Sequence, residues 1–517
     1  MKIMPVGLLL VLMGAVLPRA TADEPGGLRG QVRAHVRKEG PAILREFAAL
    51  LAIPNLASDG PNIRRNADLI VERLAARGVK ARLLSGEGGP PVVFGELRRE
   101  GARRTLGVYA HYDGQPVDPR EWAGGEPFRP VLRDRPLEEG GREVDLAALA
   151  GPPAGEWRLY GRGSGDDKAP IVGFWAALDA LAAAGIPSSV NVKFLFEGEE
   201  EAGSPHFRTV LERNRELLAA DGWILCDGPV HQTRRMQVFF GARGITDVEL
   251  TVYGPLRPLH SGHYGNWAGN PALTLAHLLA GLKDLDGRIR IAGFYDDVRP
   301  PTPAEASALA ELPDVEAALR HELALAETEG RGAPLAERLM LPALNVRGIQ
   351  SGHVGAHAAN AIPTEATASI DFRLVPDQTP ARVRELVDAH LRAAGFAVVS
   401  DPPGPEIRRA QARLVRVQWG SGYPPYRASL DQPFARAVVG AVEEGTGGPI
   451  VKMPTLGGSI PMYLFPEVLG APVIGVPIAN HDDNQHAANE NLRLQNLWDG
   501  IEVYATLLAR LGQLWKD

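Results

Sequence analysis

A chain of 517 residues, 45% hydrophobic and 23% charged, has the length for two or more domains and the composition of an ordinary globular protein. A formal net charge of −7 without any basic run argues against a nucleic-acid or membrane-surface partner, and no apolar run reaches membrane-spanning length. The single cysteine, Cys226, excludes an intrachain disulfide, so stability must come from the core, bound metal or association between subunits.

Residues 1–22 read as a secretory signal: Lys2 begins it, Val6 to Leu17 is apolar, and Ala20-Thr21-Ala22 fits a cleavage site. The expectation is an exported bacterial protein, periplasmic or secreted, cleaved after Ala22. A helix over Gln31–Ile53, interrupted near Gly40-Pro41, is followed by one over Asn62–Ala76 with Ala67, Ile70, Val71 and Leu74 on one face. Short β-rich runs at Lys80–Leu84 and Val92–Leu97 precede Thr105–Ala110, which runs apolar into His111-Tyr112-Asp113-Gly114. Residues 121–156 read as a long loop, closed by the glycine-punctuated Gly161-Arg162-Gly163-Ser164-Gly165-Asp166-Asp167-Lys168.

Helix Ala169–Ala184 leads to strand Asn191–Phe196, which ends abruptly in Glu197, Glu199, Glu200 and Glu201. Carboxylates this close repel one another unless cations or solvent screen them, so the cluster is either a solvated acidic loop or part of a metal site. Helix Phe207–Ala220 and strand Trp223–Cys226 follow, the strand ending at Asp227. Apolar strand, polar residue at its carboxyl end, then helix is the signature of a mostly parallel α/β sheet, which binds ligands at the carboxyl ends of its strands.

From Gly244 the pattern changes to alternation at Val248, Leu250 and Val252, and a helix starts at Asn270-Pro271. After about 55 further residues come strands Pro342–Gly348 and Ala366–Val375, a helix from Thr379-Pro380 to Gly395, and strand Phe396–Ser400. That order, β-α-β-β-α-β, predicts a ferredoxin-like domain. Charged, alanine-rich Glu322–Arg338 reads as helix. Helix Gln432–Glu444 and strand Ala471–Ile478 resume the α/β pattern and run into His481 and His486. The fold expected is a mixed, mostly parallel α/β sheet flanked by helices with an inserted α+β domain: 1–22 signal, 23–243 first part, 244–425 insertion, 426–517 second part.

His111, Asp166, Glu201, Asp227 and His486 all fall just after predicted strands or in glycine-punctuated loops. Each alone suits a core histidine, a turn or cap residue, or a surface residue. Together, two imidazoles and three carboxylates suit a pair of zinc-type ions with one carboxylate bridging them.

The segments Tyr109–Gly114, Gly161–Lys168, Glu197–Ser204 and His486-Ala487-Ala488-Asn489-Glu490 resemble those of the M20 family of dinuclear zinc peptidases, especially its carnosinase-like dipeptidases and carboxypeptidases. The resemblance runs from about residue 40 to the end. It implies two divalent ions, zinc with manganese or cobalt as alternatives, held by His111, Glu201, Asp227 and His486 and bridged by Asp166. It implies that Asp113 orients His111, that the Asp166–Asp167 peptide is cis, and that Glu200 is general base and then acid for a metal-bound water. It further implies that His260 is supplied across a homodimer interface of the inserted lid, to stabilise an oxyanion. Asn360 and Arg373, with Gly457 and Gly458, match positions that hold a peptide substrate's free carboxylate and carbonyl.

The chain departs from the family pattern at Gln485, where relatives often have glycine, at Thr455-Leu456, and in insertions at 134–156 and 288–341 that are expected to shape the cleft. His481 is an alternative ligand. The activity expected is hydrolysis of an amide bond beside a free carboxylate in dipeptides or short peptides. Its rivals are an N-acyl-amino-acid deacylase and a non-catalytic periplasmic peptide-binding protein.

Overall fold

The computed structural model describes residues 26–85 and 88–516, so the signal segment expected at 1–22 lies outside them. The main sheet has eight strands in the order Lys80–Leu84, Val92–Leu97, Asn191–Glu197, Thr105–His111, Gly222–Leu225, Val473–Gly475, Gln237–Phe239 and Val451–Met453. Its four central strands, from Asn191–Glu197 through Val473–Gly475, run parallel. Their carboxyl ends therefore open at one edge.

The alternation of side chains along these strands builds two layers. Leu106, Val108 and Ala110 face one core with Val192, Phe194 and Phe196, whereas Tyr109 and Leu195 face the other. Helices Leu28–Leu51, Lys168–Ala183, Pro433–Thr446 and Leu494–Leu514 cover the first face. Lys168–Ala183 is buried almost throughout because it lies among its neighbours rather than at the surface. Gly107 admits the Trp223 ring beside the central strand: a Cβ there would fall 2.1 Å from it.

A second sheet orders Ala343–Gln350, Glu365–Leu374, Gly244–Tyr253, Leu414–Tyr423 and Ala397–Val399. Helices Pro271–Leu282 and Pro380–Ala393 pack on it around a core of its own. The chain leaves and returns through a two-residue ribbon in which Gly241 pairs with Arg427 and Ala242 with Tyr426. Among the described residues no helix is long and apolar enough to cross a membrane.

Several expectations change. The fourth long strand of the second sheet is Leu414–Tyr423, which pairs with Gly244–Tyr253; the expected Phe396–Ser400 strand is a short parallel edge. Pro41 sits inside a continuous first helix, and Phe207–Ala220 divides into Phe207–Arg213 and Arg215–Leu218. The Glu322–Arg338 helix does not form. Glu316–Glu322 and Leu335–Leu339 are short helices separated by turns at positive-φ Ala324, Gly330, Arg331 and Gly332. The 121–156 loop contains paired strands Val131–Arg133 and Glu143–Val144.

Candidate metal centre and substrate cleft

His111 ends the Thr105–His111 strand, Asp227 lies two residues beyond Gly222–Leu225, and Glu200 and Glu201 begin the turn after Asn191–Glu197. These three strands are adjacent and parallel, so their ends converge. Two other loops reach the same edge. One carries Asp166, ahead of helix Lys168–Ala183, and the other carries His486.

The side chains fall into two ligand groups that share one carboxylate. His111, Asp166 and Asp227 form the first and Asp166, Glu201 and His486 the second, with the ligand atoms of each group within 4.8 Å of one another. His111 Nε2 is 2.8 Å from Asp166 Oδ1, while His486 Nε2 is 3.2 Å from Asp166 Oδ2 and 3.3 Å from Glu201 Oε2. His481 lines the same cleft but belongs to neither group.

Crowding and burial mark this donor set as one that suits cations. Burial, then the charge of Asp166, pushes Asp227 and Glu201 each up to about 7. Burial also raises Glu200 well above the usual carboxylate range; the imidazole of His111 opposes this and the charges of Asp227, Asp166 and Glu201 add to it. For His111, burial is outweighed by the charge of Asp166 and by contacts with Asp113 and Asp166, so it is held well above ordinary histidine. Divalent ions would relieve this repulsion, and two imidazoles with three carboxylates are nitrogen and oxygen donors suited to zinc-type metals. The residues present fit two such ions.

The surroundings fix the donors. Asp113 Oδ1 lies 3.4 Å from His111 Nδ1, and its two oxygens accept from the Glu200 and Glu201 backbone N–H groups at 3.1 and 3.0 Å. One buried carboxylate thus ties the imidazole to the glutamate turn. Gln115 Nε2 donates to Glu201 Oε2 at 2.7 Å, and Gln485 Nε2 to Asp166 Oδ2 at 2.9 Å. The Asp166–Asp167 peptide is cis.

Glu490 is the residue whose role sequence reasoning missed. Fully buried, it accepts from the N–H groups of Gly163, Gly165 and Asp166 at 3.0, 2.8 and 3.0 Å and from Arg162 at 2.7 Å. It thereby holds the Asp166 loop against the His486 loop. Asn484, His486 and Asn489 adopt positive φ in that second loop, a concentration of non-glycine residues in the left-handed region that marks a constrained site.

The centre forms one end of a cleft of about 1080 Å³, which Glu200, Arg373, Gly457 and Gly458 also line. Glu200 is partly exposed there. Arg373 Nε donates to Asp371 at 3.0 Å and its Nη1 to Ser459 Oγ at 2.8 Å; neighbouring Arg243 donates to the Gly457 carbonyl at 3.0 Å. Arg243, Ser459 and Tyr423 were also missed. Tyr423 stacks on Tyr463, and its hydroxyl is pushed up by burial and then by the charge of Glu200.

His260 and Asn360 lie elsewhere. They meet across a short ladder where His260 pairs with Ala361 and the Ser261 N–H donates to the Asn360 carbonyl at 2.8 Å. Both are exposed, and neither is among the residues lining this chain's own cleft. Of the two insertions, residues 309–339 form a wall of the cleft, whereas 134–156 do not line it.

A sheet edge that gathers such donors around a cleft makes a candidate metal site. The chain belongs to peptidase family M20/M25/M40, whose family model matches residues 107–510, and it is a peptidase-type hydrolase. It is 24% identical over 499 residues to "Cys-Gly metallodipeptidase dug1" of Schizosaccharomyces pombe, covering 93% of this chain and 97% of that protein. It is 27% identical over 434 residues to "Beta-Ala-His dipeptidase" of Homo sapiens, covering 82% of this chain and 78% of that one. The structure of the M20 family metallo-carboxypeptidase Sso-CP2 from Sulfolobus solfataricus superposes with a TM-score of 0.73 at 29% identity, covering 91% of this chain and 99% of that one.

These comparisons correct the expected address. The curated relatives described above, matched over most of the chain, are dipeptidases of a yeast and of human, organisms without a bacterial periplasm, and they contradict the exported, periplasmic expectation.

Proposed function

We propose that this chain hydrolyses the amide bond next to a free carboxylate in dipeptides or at the C-terminus of short peptides, using two divalent metals held by His111, Asp166, Glu201, Asp227 and His486. The observation that carries this reading is the sharing of Asp166 by two ligand groups in a cleft that also contains Glu200 and Arg373. The dipeptides named for the yeast and human relatives, Cys-Gly and Beta-Ala-His, support the substrate class.

When bound, zinc, or manganese or cobalt in its place, would supply Lewis acidity and lower the pKa of water toward neutrality. Glu200 belongs to neither ligand group, so its carboxylate is free to take a proton from the attacking water and return it to the leaving amine nitrogen. Burial and anionic neighbours raise its proton affinity, which suits that exchange. Asp113, through its contacts with His111 and the backbone of Glu200 and Glu201, keeps base and ligand in register. Arg373, steadied by Asp371 and Ser459, offers its guanidinium to the substrate carboxylate beside the side-chain-free Gly457 and Gly458.

Residues 244–425 act in this reading as a lid through which two copies associate, so that His260 and Asn360 enter the partner's cleft. The exposure of both residues supports this, as do the outer strand Ala343–Gln350 and exposed Trp267 and Ile349.

Glu200→Gln is expected to keep two metals by elemental analysis and to lose about 10²- to 10⁴-fold in kcat; full activity would remove the assigned base. Dipeptides assayed beside N-acetyl and N-succinyl amino acids separate the peptidase from the deacylase. A metal-loaded protein that bound peptides without releasing amino acids would leave only a binding role.

A further inference from the structure

The cleft, of about 1080 Å³, extends beyond the metal centre and Arg373. From Asp227 the space runs sideways along the carboxyl edge of the main sheet, over Val230, Met453 and Leu456. Its roof is the segment 309–339, from which half-buried Leu309, Leu312, Val315, Leu319 and Leu339 line it.

Two features fix that roof. Glu305 pairs with Arg427 at 2.7 Å, both side chains almost wholly buried, and Glu311 pairs with Lys452 at 2.7 Å beside the Val451–Met453 strand. The segment lies within residues 244–425 in sequence but is fastened to Arg427 and Lys452 of the main-sheet part of the chain, so the space between is preformed. The segment also brings four acids to the lining: Asp314 accepts from the Glu316 N–H at 3.0 Å and Glu316 from the Leu335 N–H at 2.7 Å, while Glu322 and Glu337 are exposed to solvent.

The position of the roof relative to the proposed carboxylate anchor gives it a role. A Cβ on Gly457 would lie 3.0 Å from Leu339 and 3.6 Å from Arg243, so Leu339 stands directly against the backbone beside Arg373 and Ser459. A carboxylate held there brings its own residue's side chain to the mouth of the apolar space. Resting on the peptidase reading above, we propose that the space under Leu309–Leu339 receives the side chain of the carboxylate-bearing residue, the one released with a new amine. The preferred substrates end in a large apolar residue.

The test uses the full-length, metal-loaded enzyme with Ala-Gly, Ala-Gln, Ala-Leu and Ala-Phe. The kcat/KM for Ala-Leu and Ala-Phe is expected to exceed that for Ala-Gly by about 10- to 200-fold, the discrimination an apolar pocket supplies, with Ala-Gln well below them. Free phenylalanine is expected to inhibit at least about tenfold more strongly than glycine, because it keeps both carboxylate and side chain. Leu312→Asp and Leu319→Asp are expected to shrink the Phe-to-Gly ratio. A flat ratio across the wild-type series with Ala-Gly still turned over overturns the pocket and leaves the peptidase reading standing. Failure to cleave any peptide with two metals bound overturns both.

Discussion

The metal centre and the His260–Asn360 corner are both built from polar residues at strand ends, yet their surroundings differ. Around the centre, Asp113 and Glu490 are fully buried and each joins segments distant in sequence, so donor geometry is set by this chain alone. At the corner, the His260 ring accepts from the Gly262 N–H at 3.1 Å, lies against the His263 ring at 4.5 Å and is open to solvent. A preorganised site keeps its supporting groups buried and satisfied. The corner lacks that support within one chain, and a partner subunit is the proposed source of it.

The contrast is broken most severely at the shared carboxylate. Asp166→Ala removes a donor from both ligand groups, so bound metal is expected to fall from two equivalents to less than one, with activity lost. Asp227→Ala, which touches one group, is expected to retain one equivalent. Elemental analysis after dialysis separates the two; equal retention by both variants would sink the sharing of Asp166.

Glu490→Gln tests whether the centre's rigidity resides in its buried ties. The substitution leaves the Arg162 guanidinium buried without its carboxylate and breaks an acceptor set serving three backbone N–H groups. Removing one partner of a buried pair costs about 3–5 kcal/mol. Chemical denaturation is expected to show a loss of that order, with metal affinity reduced through displacement of Asp166.

The corner is expected to respond differently. His260→Ala should leave stability and metal content unchanged while lowering kcat by about 10²- to 10³-fold, the scale for losing one oxyanion donor. Mixing inactive His260→Ala with inactive Asp166→Ala is expected to recover activity, because a mixed dimer holds one cleft with intact metal ligands facing an intact His260. No recovery after verified subunit exchange would remove the partner's contribution.

Much of the centre was legible because its chemistry sits where the hydrophobic pattern stops. Thr105–His111 and Asn191–Glu197 are apolar runs that end in an imidazole and a carboxylate cluster, so strand and ligand are read together. The Leu414–Tyr423 strand was missed although Val415, Val417 and Trp419 alternate with Arg416, Gln418 and Gly420; the Gly420-Ser421-Gly422 stretch reads as a turn, and pairing with Gly244–Tyr253 is what carries the strand through it. Glu490 could be quoted as part of a motif but not given a role, since its partners are backbone N–H groups more than 320 residues away. The 316–339 region carries helix-forming residues, but its glycine and positive-φ turns divide the helix, so composition misled there.

The mildest expected effect lies at the rim of the centre, where Arg158 pairs with Asp482 at 2.6 Å and also donates to Asn491 at 2.8 Å, tying a buried strand to the loop that carries His486. Burial works against the charge of Asp482, but the bonds from Arg158 and Asn480 prevail and hold its carboxyl down at about 2. A carboxylate with a folded-state pKa below its unfolded value stabilises the fold above the unfolded value and loses that contribution as pH falls through the folded one. The side chain of Asp482 is 40% exposed, so screening reduces the benefit. Asp482→Asn is therefore expected to destabilise by no more than about 1 kcal/mol at pH 7. Its difference from wild type should shrink between pH 4 and pH 2 as wild-type Asp482 takes up its proton. A loss at pH 7 as large as that of Glu490→Gln would show that the rim bears the same load as the buried ties, and the distinction between the two kinds of support would fail.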